Sequence, residues 1–152
     1  MSAKPGVTIQ SQWHGKEISI MGRKATGMTS FELGLIVEGE AKLLSAVNYG
    51  YLAASFHTQA FDKGSELESP GKYAKETPPA NHDVSTFRKI KAPTDPNQVL
   101  VGSAVDYAPH VEFGTIKSNA QPSLRPALDL AKGKKLTVLE KNGRMVFKEY
   151  LK

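Results

Sequence analysis

The chain reads as α+β: two helices, a small sheet, a long inserted loop or arm, and a C-terminal β-hairpin. Three observations predict this class. Thr29 and Glu32 stand at capping-box spacing before an apolar stripe of helical period, Leu33, Ile36, Val37, Leu44 and Val47. Val99 to Val105 is a short apolar and β-branched run bounded by Gln98 and Asp106, the pattern of a buried strand. Asn142-Gly143 lies between two apolar-rich arms, and that dipeptide suits the positive-φ positions of a type I′ turn.

Taken in order, residues 1–7 read as a frayed end. Val7, Ile9 and Trp13 then share one face of an alternating segment. His14-Gly15-Lys16 turns the chain, and Glu17 to Met21 returns as a partner strand. The helix from Thr29 carries Phe31, Leu35 and Leu43 beside its main stripe, which points to core packing or to a subunit interface. Gly34 and Gly39 each cost it about 1 kcal/mol relative to alanine, so tertiary contacts must hold it. Asn48 to Phe56 follows. From 58 to 98, six prolines and many charges break regular structure, and only Val84, Phe87 and Ile90 offer a burial pattern. A structureless stretch this long is either an inserted arm with a function or a surface loop.

After the strand, Pro109 bends the chain and biases Ala108 toward an extended conformation. Gly114 marks a positive φ or a close approach. Pro122 and Pro126 suit the first turn of a second helix, where a missing N–H loses no partner. That helix runs from Ser123 to Lys132, with Leu124, Leu128 and Ala131 on one face and Gly133 to end it. In the hairpin register, residues 136–151, Val138 faces Phe147 and Leu139 faces Val146. A continued C-terminal helix is the competing reading.

At 152 residues the whole chain, 1–152, is expected to form a single domain with one modest core. It has no apolar run of about 18 residues, so no membrane span is expected, and residues 1–6 lack a signal peptide's apolar core. The absence of cysteine excludes disulfides and thiolate metal sites. A net charge of +5 admits an anionic partner such as DNA, yet the basic residues are scattered without interleaved aromatics. His14, His57, His82 and His110 lack the spacing of a metal site. No phosphate loop, nucleophile elbow or H-E-x-x-H pattern occurs. Glu112, between Val111 and Phe113, is the one carboxylate whose setting suggests a general base, but no second catalytic group lies near it in sequence. The structural reading is a pair with a cation, Arg125, or acceptance of backbone N–H groups at the Gly114 turn. No catalytic residue, cofactor or metal is expected.

Tyr107-Ala108-Pro109-His110-Val111-Glu112-Phe113-Gly114-Thr115 and Ala120-Gln121-Pro122-Ser123-Leu124-Arg125-Pro126-Ala127 together resemble the signature of a tailed-phage minor tail protein family. Its members act in tail completion and head–tail joining in lambdoid and related long-tailed phages. Ser123 replaces the family's usual Phe. Gly50, Leu52 and Ser55 resemble its weaker second motif, with Tyr49 in place of Thr. The resemblance covers about residues 30–56 and 99–130. It implies an antiparallel or mixed sheet packed against the two helices, with the 58–98 arm reaching a neighbour. It implies a structural virion protein of the neck, assembled in the host cytoplasm, without enzymatic activity or membrane contact. The expected partners are further copies in a ring of six, the head connector or stopper, and the tail terminator or tail tube, with DNA passing through the lumen. A tail-terminator ring is the nearer alternative, and a small nucleic-acid-binding or hydrolytic domain the more distant one. Tyr107, Glu112, Phe113, Gly114, Thr115, Pro122, Arg125 and Pro126 are the expected fold-defining turn and interface.

Overall fold

The computed structural model describes residues 13–46, 50–73 and 89–150. The elements run α1 (Gly15–Leu44), α2 (Tyr51–Ser55), β1 (Phe56–Ala60), β2 (Val99–Ser103), α3 (Ala108–Phe113) and α4 (Leu124–Tyr150), with one turn of 3-10 helix at Pro70–Lys72. Mixed helix and a two-stranded antiparallel sheet make an α+β fold, with helix dominant. β1 pairs with β2 from Phe56 opposite Ser103 to Ala60 opposite Val99.

Two long helices set the frame. α1 has 30 residues and α4 has 27. They pack antiparallel, as the cross-links Lys24–Glu149, Glu32–Lys141 and Glu40–Lys134 require. On α1, Met21, Ala25 and Thr29 follow one another at four-residue spacing on the buried face, and on α4 Val138, Asn142 and Val146 do the same. One core cluster gathers Val37, Ala41, Leu52, Phe56, Ala127 and Ala131. A second, smaller one joins Met21 and Ala25 to Val146.

The sheet lies on α1 at Gly34. A Cβ there would stand 2.6 Å from Val99 Cγ1 and 2.7 Å from Thr58 Cγ2, so the missing side chain is what lets helix and sheet approach. The glycine that propensity counts against the helix is thus a packing requirement.

Four expectations are corrected. Glu17 to Met21 is the first part of α1 rather than a returning strand, and residues 7–12 of the expected hairpin lie outside the described residues. Thr29 is not a cap: it sits mid-helix, buried, and its hydroxyl donates to Ala25 O at 2.7 Å. The expected C-terminal hairpin is absent, because α4 continues through Gly133 and Asn142-Gly143 to Tyr150. Buried Asn142 donates from Nδ2 to Thr29 Oγ1 at 3.3 Å and Glu32 Oε2 at 3.1 Å, an interhelical partnership that outweighs the local turn preference.

The fourth concerns the arm. Thr58 to Ala60 belong to β1, and the described flanks of the insertion fold back onto the body. Ser65 donates to Glu38 Oε2 at 2.6 Å, and buried Lys42 holds Glu38 at 2.7 Å and Glu68 at 3.2 Å. Burial alone would raise the Glu68 carboxyl, but hydrogen bonds from Lys72 and Lys42 leave it below its ordinary value. On the far side, Ile90 N–H donates to His57 Nε2 at 2.7 Å. His57 is therefore the tautomer whose Nδ1–H donates to Ser55 O at 3.1 Å. Val84 and Phe87 lie outside the described residues. No described helix is long and apolar enough to cross a membrane.

Candidate functional site

The signature segment builds one corner between β2 and α4. Ala104 N–H donates to Ser55 O at 3.1 Å, holding the exit of β2 against α2. The chain turns at Asp106-Tyr107 into α3, with Pro109 in its first turn, where no N–H is needed. Ala108 is helical, not extended as Pro109 alone would bias it, because Ala108 N–H reaches Val105 O at 3.3 Å and His110 and Val111 N–H close on Tyr107 O.

Glu112 is the centre of this corner. Its carboxylate, buried, accepts the backbone N–H of Ser123 at 2.7 Å, Leu124 at 3.1 Å and Arg125 at 3.1 Å. These are the N-cap and the first two residues of α4. The third is Pro126, which has no N–H to satisfy, and Ala127 N–H already makes the intrahelical bond to Ser123 O. One side chain eleven residues upstream thus answers every donor that the helix start leaves open. Burial alone would raise the Glu112 carboxyl. The three backbone donors and the Arg125 side chain outweigh it and hold the carboxyl below its ordinary value.

Arg125 locks the corner from outside. Its Nε lies 3.4 Å from Glu112 Oε1, its Nη2 donates to Glu112 O at 3.1 Å, and its guanidinium sits 5.1 Å from the Phe113 ring centroid. Gly114 follows at φ 77° and ψ 177°, a conformation open essentially to glycine alone. A Cβ there would meet Ala120 N at 2.7 Å. Thr115 closes a tight turn with Ser118, and Gln121 N–H ties the return to Val111 O at 2.8 Å.

The expected residues therefore divide. Glu112, Phe113, Gly114, Arg125 and Pro126 act together, and Thr115 opens the adjoining turn. The Arg125 partnership is present, while the backbone donors come from the start of α4 rather than from the Gly114 turn. Tyr107 is half-exposed at the start of α3, its hydroxyl pKa pushed up by burial and by Tyr51 nearby. Pro122 lies before the helix, not in its first turn. Ser123, where the family carries Phe, is buried as the N-cap residue, its hydroxyl 3.4 Å from Glu112 Oε2.

Beside this corner, Leu52, Phe56, Val105, Ala108, Leu124 and Asp106 line a cleft of about 440 Å³. Sequence reasoning missed it, because its walls come from α2, β1, α3 and α4 and no local spacing brings them together. The half-exposed or exposed apolar groups near it are Tyr107, Phe113 and Ile116. Among the described residues, no group of three or more His, Asp or Glu side chains converges on a point where a metal ion could sit. His14 and His110 are exposed, His57 is buried in its two hydrogen bonds, and His82 lies outside the described residues. Comparison with protein-family models, with curated proteins and with solved structures finds no match for the chain.

Proposed function

We propose that this chain is a structural neck protein of a long-tailed bacteriophage, forming a ring of six copies that joins the head connector to the tail during assembly, with the genome passing through its lumen. One observation carries the reading. The residues that resemble the tail-completion signature are the ones that cap α4, and they fix a stiff corner with Phe113 and the Thr115–Ser118 turn on its outside. A corner held by charge-assisted hydrogen bonds loses little conformational freedom when another surface is pressed against it, which suits docking.

The chemistry of Glu112 supports the same view. A carboxylate whose oxygens are occupied by helix-start donors, and whose pKa is lowered, is a poor base and has no room for a substrate proton. Large side chains left in solvent, among them Leu43 at 80% and Leu136 at 73% exposure, add apolar surface of the kind that assembly buries. The test is a phage with this gene disrupted, viewed by electron microscopy. Filled heads beside separate tails of normal length are expected. Tails of uncontrolled length would assign the terminator role instead, and normal joined particles would overturn the proposal.

A further inference from the structure

The cleft beside the corner is where the main core opens to solvent, since Leu52, Phe56, Val105, Ala108 and Leu124 belong to that core or pack against it. Asp106 stands exposed among its lining residues. On the loop that leaves the corner, Ile116 is wholly exposed, at 106%, and Lys117 follows it. The loop that carries them is fixed: Thr115 N–H donates to Ser118 O at 2.8 Å, Ser118 N–H to Thr115 O at 3.3 Å, and Lys117 N–H to Thr115 Oγ1 at 3.2 Å. An isoleucine held out on a closed turn makes no contribution to its own fold. Neither Asp106 nor Lys117 has an ion pair among the described residues.

We propose that the Thr115–Ser118 turn of one copy inserts Ile116 into the cleft of the next, with Lys117 paired to that copy's Asp106. The occupant is a second copy of this chain, argued from the complementarity of an apolar projection followed by a cation to an apolar recess bearing an anion. Projection and recess are different patches of one surface, so the contact is heterologous and repeats from copy to copy, as a ring requires. The turn is already closed before docking, so insertion orders little that was free. This deepens the neck-ring reading and rests on it.

The chain has no cysteine, so engineered disulfides report the contact without background. A Lys117→Cys chain and an Asp106→Cys chain, each alone, are expected to stay uncrosslinked under mild oxidation, and their mixture to give a covalent dimer. All three positions are exposed, so the variants test contact rather than folding. Light scattering on Ile116→Asp should show self-association weakened about tenfold or more, the effect of removing one buried isoleucine. Lys117→Asp and Asp106→Lys should each weaken it, and the two together restore it. Rings that form without the mixed cross-link, or that tolerate Ile116→Asp, would overturn the contact while leaving the ring standing. An unsubstituted chain that stays monomeric alone and when mixed with its connector would overturn both.

Discussion

Glu112 shows how much one residue can settle. A helix start leaves four N–H groups without intrahelical partners, and here three go to one carboxylate while the fourth position is Pro126. Replacing Glu112 with Gln keeps the size but points an NH2 at backbone donors. The expected loss is about 1.5–3 kcal/mol in urea unfolding at neutral pH, the range for hydrogen bonds to a charged group. The pH dependence follows from the lowered carboxyl. Its contribution is complete above the unfolded-state value, near 4.3, and disappears as pH falls through the lower folded-state value. The gap between native chain and Glu112→Gln should therefore narrow below about pH 4 and stay constant above about pH 5.5; a gap that widened in acid would refute the capping role. Gly114→Ala is the companion test. Its φ of 77° with ψ of 177°, and the backbone a Cβ would meet, set an expected loss of at least about 1–3 kcal/mol in the same assay.

Among elements, glycines separate α4 as a helix from the hairpin that its sequence suggests. A Cβ on Gly143 would meet nothing within 4 Å, so Gly143→Ala in a helix interior should stabilise by up to about 1 kcal/mol. In a type I′ turn the same change would be destabilising, because alanine resists positive φ. The sign of the shift in thermal midpoint decides. Gly34→Ala should go the other way by about 1–3 kcal/mol, since the new methyl overlaps the stiff branched side chains of Val99 and Thr58. These positions also show what sequence could reveal. β2, the bend after it, the positive φ of Gly114 and the Glu112–Arg125 partnership were legible, because a few neighbouring residues determine each. The first half of α1 and the second half of α4 were not. Glu17-Ile18-Ser19-Ile20 alternates like a strand and Asn142-Gly143 reads like a turn, and each is helical only because the other lies alongside it. That pairing spans more than a hundred residues of chain, as the Asn142 to Thr29 bond does, and no local pattern encodes it. The cleft was hidden for the same reason.

Across the whole molecule, the two clusters are unequal. The larger unites both long helices with α2 and β1, whereas the smaller has only Met21, Ala25 and Val146, with Met28 packed against them. Residues 15–28 thus depend on the last third of α4, and the converse holds. Neither stretch is long enough to be helical alone, since isolated helices shorter than about 12–15 residues are marginal in water. Two consequences follow. In native-state hydrogen exchange, amides of 15–28 and 138–150 should open together and before those of Gly34 to Ala41, β1 and the start of α4. Truncation after Lys135 removes fifteen residues of α4, Leu136 to Tyr150, yet the helical signal in circular dichroism should fall by nearly twice that number, because the paired half of α1 melts with them. A loss confined to the deleted residues would mean that the first half of α1 is held by something other than α4. The corner around Glu112 lies at the opposite end of α4 from that deletion, so the truncated chain should keep the pH dependence traced to Glu112 while losing the end of the helix pair. The joining surface and the helical extension are then separable in one protein: the corner acts as the rigid part against which other subunits can register, and the extension is the part that can yield.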